Sequence, residues 1–132
     1  MPEIARFGID PNMALSYTWS LSPDGTSIAI EKMGEAKLHI IDLNGRPARD
    51  ITVKGQLALS SLDWSPDGKG FYAGSQSGSG TALVHVDLEG KAQVLWEQKS
   101  TNKTWGVPSP DGKHLAILGQ AFNSNMWVIE NF

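Results

Sequence analysis

Apolar residues along this chain fall in short alternating runs, broken by glycine, proline, asparagine and aspartate. Alternation with a period of two is the mark of strands that press one face against a core. Three such runs begin soon after a glycine: Ile28-Ala29-Ile30, Phe71-Tyr72-Ala73 and Leu115-Ala116-Ile117. A second run follows each of them after a turn, at 38–43, 83–88 and 127–132. A third, Ile51-Thr52-Val53 and Val94-Leu95-Trp96, closes the first two units. Between second and third runs stand Asn44-Gly45 and Glu89-Gly90, pairs suited to tight hairpins. No window carries a sustained helical stripe with a cap, so the pattern predicts strands throughout and no helix.

The runs repeat as a block. The tetrapeptide Ser-Pro-Asp-Gly occurs at 22–25, 65–68 and 109–112, a period in the low forties. That period, filled with strands, is the length of one four-stranded propeller blade. Each residue of the tetrapeptide has a mechanical reason to be there. Proline presets φ for a turn, aspartate accepts nearby backbone N–H groups, and glycine takes the positive φ that starts the next strand. Ahead of it, the inner strands carry Trp19 and Leu21 in the first unit and Leu62 and Trp64 in the second. In the third unit the tryptophan is displaced to Trp105, and Pro108 takes the last place.

The expected architecture is therefore all-β, a β-propeller segment over 1–132 with three four-stranded blades. The blades span 13–53, 57–98 and 103–132, the last without its outer strand, and an outer closing strand lies at 1–9. Ile4 to Ile9 stand in the register of an outer strand, the offset closure by which propeller rings join first and last blades. Three blades are too few for a ring, since propellers have four to eight. An open arc would expose apolar faces and strand edges. A homodimer with six blades follows as the expectation, each N-terminal strand completing the partner's last blade; a fragment of a longer propeller is the alternative.

At Trp64-Ser65-Pro66-Asp67-Gly68-Lys69 the chain resembles the WD40-like propeller repeats of TolB and of prolyl oligopeptidase-type peptidases. The three repeats extend the resemblance over nearly the whole chain. It implies a non-catalytic platform: a protein-docking surface, a ligand sensor, or a gate over a separate hydrolase domain. It also suggests a bacterial periplasmic or cytoplasmic setting.

Composition narrows the partners. Hydrophobic residues make 40% and charged residues 19%, ordinary for a soluble globular domain. The net charge of −3 leaves no basic stripe for nucleic acid, and no apolar run is long enough to insert in a membrane. Without cysteine there are no disulfides or thiolate metal sites.

Chemistry-bearing residues read as structural. Gly68-Lys69-Gly70 leads into a strand, where a dinucleotide fingerprint needs a helix. The run 74–80, rich in glycine and serine, lacks the lysine of a phosphate loop and reads as a flexible connection. His39, His85 and His114 stand at different registers and form no ligand set, so no metal is expected. Asp24, Asp67 and Asp111 repeat once per blade, as do Asp42 and Asp87 with Asn131 in the same place, and none can pair as acid and base. No catalytic residue and no cofactor is assigned. Four tryptophans, Trp19, Trp64, Trp96 and Trp127, fall in predicted strands and are expected to pack between blades.

Binding is expected at one ring face, where loops vary while the framework repeats. Those loops are 10–13, 54–56 and 100–103, with 33–35, 77–80 and 122–125 beside them. Their candidate binding residues are Asn12, Gln56, Ser79, Asn102, Lys103 and Asn123, together with Trp105 as the tryptophan expected in the central channel. A protein partner on this face is the first reading. A propeller gating a larger hydrolase or receptor, and a lectin-like binder of small ligands, are its rivals.

Overall fold

The computed structural model describes residues 16–123 and 125–128. Among them lie ten strands and no α-helix. A first sheet holds β1 (Tyr17–Leu21), β2 (Ser27–Lys32), β3 (Lys37–Asp42) and β4 (Arg49–Thr52), antiparallel and in chain order. A second sheet repeats the plan with β5 (Leu59–Trp64), β6 (Gly70–Ser77), β7 (Gly80–Asp87) and β8 (Ala92–Lys99). The third has, among the described residues, only β9 (Lys103–Pro108) and β10 (Leu115–Gln120). Up-and-down sheets follow from hairpin links too short for a crossover.

The tetrapeptide makes the β1–β2, β5–β6 and β9–β10 turns. Ser22 Oγ accepts the Ser27 N–H at 2.9 Å and donates to Asp24 Oδ1 at 2.6 Å, and Asp24 accepts the Thr26 N–H at 3.0 Å. Asp67 and Asp111 repeat the arrangement with the N–H groups of Lys69 and Lys113. Gly25, Gly68 and Gly112 have φ of 71°, 70° and 70°, which a side chain would oppose. Asp42 and Asp87 cap the β3–β4 and β7–β8 links by accepting the N–H groups of Asn44 and Glu89.

The core lies between the first two sheets. Leu38, Ile40 and Ile51 meet Leu62, Trp64, Phe71 and Ala73 there, with Val84 and Val86 in the same cluster. Each fully buried leucine, isoleucine, valine or phenylalanine among them contributes about 1.5–3 kcal/mol.

Two expectations are corrected. The run 74–80 is no flexible loop: Gly74 to Ser77 continue β6, Gly80 opens β7, and only residues 78 and 79 turn. Its small residues answer a close approach. A Cβ on Gly74 would stand 2.6 Å from Ser61 Oγ and 3.0 Å from Ser60 Oγ, and would collide with the Thr104 carbonyl. Nor does Trp127 open a third strand of the last unit. Residues 127 and 128 join no strand, and both side chains are exposed. A strand there would have β10 on one edge and the second sheet on one face only, with its other face bare. Residues 129–132, Asn131 among them, and the expected outer strand at 1–9 lie outside the described residues.

Candidate interaction site

Alternation along the inner strands assigns each side chain to one of two sheet faces, and the contacts between sheets fix which is which. Trp64, one residue before its tetrapeptide, donates its indole N–H to the Ser20 carbonyl of the first sheet at 3.0 Å. Its backbone N–H reaches Ser20 Oγ at 3.1 Å, and its ring tilts on Phe71 with centroids 4.3 Å apart. Gly106, three before its tetrapeptide, lies so close to Leu83 of the second sheet that a Cβ would come within 2.7 Å. Positions one and three before the tetrapeptide therefore form a front face, packed on the sheet before. Positions two before it, Ser20 and Asp63, belong to the back face: Ser20 Oγ accepts the Trp64 N–H and Asp63 Oδ2 the Trp105 indole N–H, each from the next sheet.

The same register continues where no sheet follows. On the front of the second sheet, Leu62 and Trp64 are 1% and 8% exposed. Their equivalents on the front of the first sheet, Trp19 and Leu21, are 68% and 49% exposed. On the back of the third sheet, Val107 and Leu118 stand 53% and 60% exposed. The described arc thus ends in two uncovered apolar faces, one at each end.

Between sheets runs a polar seam. Ser61 Oγ donates to the Thr104 carbonyl and accepts the Gly74 N–H, both at 2.8 Å. Thr81 joins Thr101 at 2.6 Å and also bonds Thr104. Glu31 is fully buried; Thr18 Oγ1 donates to its Oε2 at 2.7 Å, while Oε1 has no partner. Burial raises its pKa despite the Thr18 bond and the Lys103 charge. Asp63 is likewise raised by burial, against the Trp105 hydrogen bond. The turn aspartates shift the opposite way. Hydrogen bonds from Ser22 and Thr26 push Asp24 down to about 2, and the Ser65 and Ser109 hydroxyls lower Asp67 and Asp111.

The sequence-predicted binding residues are dispersed rather than gathered. Gln56 Oε1 accepts the Ser75 hydroxyl at 2.6 Å, and Asn102 Oδ1 accepts the Phe122 N–H at 3.1 Å, so both brace their loops. Ser79 is exposed in the β6–β7 turn, where its carbonyl accepts the Ser100 N–H at 2.9 Å, and Asn123 is also exposed. Lys103 lies 5.0 Å over the Trp105 ring. Trp105 folds back on the second sheet, its indole N–H donated to Asp63 Oδ2 at 2.7 Å. Asn12 lies outside the described residues. Of the histidines, His39 meets Asp50 at 2.6 Å, His85 meets Tyr72 edge-on, and His114 is exposed.

A further cleft was not anticipated. It opens at the opposite, tetrapeptide end, between the first two sheets, with a volume of about 790 Å³. Asp24, Asp42, Arg46, Arg49, Trp64 and Asp67 line it. Arg46 is partly neutralised by Asp42 at 3.6 Å. Among the described residues no group of three or more His, Asp or Glu side chains is placed to hold a metal ion, and no helix is long and apolar enough to cross a membrane.

No protein-family model and no curated protein matches the chain. Solved structures do. A TolB-like protein from Agrobacterium tumefaciens superposes with a TM-score of 0.65 at 20% identity, over 80% of this chain and 39% of that one. TolB from Acinetobacter baumannii gives 0.56 at 27% identity, over 81% of this chain and 27% of the other. The chain spans well under half of either protein. Its repeated antiparallel sheets are, in fold, similar to a stretch of the TolB β-propellers.

Proposed function

We propose that this chain is a non-catalytic propeller scaffold for protein interaction, and that two copies close into a six-bladed ring. The observation that carries the reading is the contrast at equivalent registers: Leu62 and Trp64 are covered, whereas Trp19 and Leu21 are bare. Uncovered sheet faces of this kind mark interaction surfaces. Both bare faces belong to one chain, so two junctions of a single kind would close the ring with no face left over. Six blades fall within the range that propellers close. The turn carboxylates support a scaffold rather than an enzyme, since Asp24, Asp67 and Asp111 are each engaged within their own turn. The variable loops around the inner-strand entrance are then the docking face for a protein partner.

One observation favours a second reading, in which the covering blades belong to a longer chain: the matched TolB proteins extend well beyond the stretch matched here. Sedimentation equilibrium separates the two. A mass near twice 14.3 kDa for the chain, reduced to 14.3 kDa in Leu21→Arg with an unchanged β spectrum, is the expected result. A well-folded monomer without any substitution would remove the second copy and leave the longer chain.

A further inference from the structure

The two bare faces can meet in two ways. Front can pack on front, an isologous contact, or front can pack on back, a contact that repeats the way consecutive sheets pack within the chain. We infer that the front of the first sheet docks on the back of the third sheet of a second copy, with Leu21 beside Val107. This rests on the dimer reading above and specifies its geometry.

The argument is one of register. At the junction of the first two sheets, the residue one before the tetrapeptide lies against the residue two before the preceding one. Trp64 reaches Ser20 by two hydrogen bonds, of 3.0 and 3.1 Å. Carried to the open ends, the same rule sets Leu21 against Val107, because Leu21 stands one before Ser22 and Val107 two before Ser109. The chemistry agrees with the placement. Ser20, on a back face, is polar, and its Oγ accepts the Trp64 backbone N–H; Val107, on the back face left open, is apolar and would meet a leucine. Leu118, on the same face of the third sheet as Val107, extends the apolar surface that Trp19 needs. Front-on-front contact has no such precedent in the molecule. It would set Trp19 and Leu21 against their own copies and leave Val107 and Leu118 bare on both chains.

The second sheet also shows why the contact is directional. Its front carries the bulky pair Leu62 and Trp64, while its back offers the shorter Asp63, onto which Trp105 folds. Of the two end faces, the open front carries Trp19 and Leu21 and the open back carries Val107.

The chain has no cysteine, so thiols can be placed singly. Leu21→Cys and Val107→Cys are prepared separately; both sites are exposed within one chain, and each variant is checked for an unchanged β spectrum. A short bismaleimide is added to each alone and to an equilibrated mixture. A covalent dimer in the mixture, and in neither single variant, is the expected result. Leu118→Cys replaces Val107→Cys if the latter folds poorly. Cross-linking of Leu21→Cys with itself would overturn the inference and establish the isologous contact. A chain that sediments as a dimer but gives no cross-link in the mixture also overturns it, and leaves the dimer reading standing. A monomer in sedimentation removes both.

Discussion

Trp64 joins two sheets, and the structure sets the cost of removing it. Its side chain is all but buried, and a tryptophan in that state removes about 200 Å² from water. At about 25 cal/mol per Å² this is worth about 5 kcal/mol, or about 4 kcal/mol once the compactness of the denatured chain is allowed for. Loss of the indole hydrogen bond to Ser20 adds about 1 kcal/mol. Trp64→Ala is therefore expected to lose about 5 kcal/mol, a large part of the 5–15 kcal/mol typical of a domain. Trp64→Phe keeps a ring against Phe71 and loses the N–H donor, for about 1–2 kcal/mol. Leu21→Ala, at the equivalent position on the uncovered sheet, is expected to cost about 1 kcal/mol from contacts within the chain. Any further loss should appear only as protein concentration rises, because that part belongs to the junction. Urea denaturation followed by circular dichroism, at several concentrations, measures all three. Trp64→Ala as mild as Leu21→Ala at every concentration would refute the assignment of front and back faces.

Other predictions follow from the seams and turns. Gly74→Ala should destabilise by about 2 kcal/mol or more, read from the urea midpoint, because its Cβ would press on Ser60, Ser61 and the Thr104 carbonyl. Asp24 has its pKa depressed in the fold, so its turn contributes stability above the ordinary value of 3.8 that is lost as pH falls toward about 2; Asp24→Asn should flatten that limb of a pH–stability profile. Glu31 has the opposite sign. Its raised pKa means that stability present below 4.5 is lost as pH rises through the folded value, so Glu31→Gln should stabilise the chain at neutral pH and do little in acid.

What the chain's pattern reveals is local, and what it conceals is not. The tetrapeptide can be read directly because its serine, aspartate and glycine bond within a few residues of one another. The strands can be read because alternation is set by which neighbours share a face. Gly74 was misleading for the opposite reason: its smallness answers Ser61 and Thr104, the latter in another sheet. Trp105 is similar, since its acceptor, Asp63, lies on β5, far back in the chain. Glu31 looks like the polar end of an alternating strand. It shares a face of β2 with Ala29 and pairs with Leu38, and that face is the one covered by the second sheet, which puts the carboxylate out of reach of water. The cleft at the tetrapeptide end arises from the spacing of two sheets, which no periodicity within one of them encodes.

The central claim is a closed ring of two identical arcs, and small-angle X-ray scattering tests it most directly, because one experiment returns both mass and shape. The account predicts a forward scattering equivalent to twice 14.3 kDa and a distance distribution of a compact disc with a hollow axis. A mass of 14.3 kDa with the profile of an open arc would contradict it.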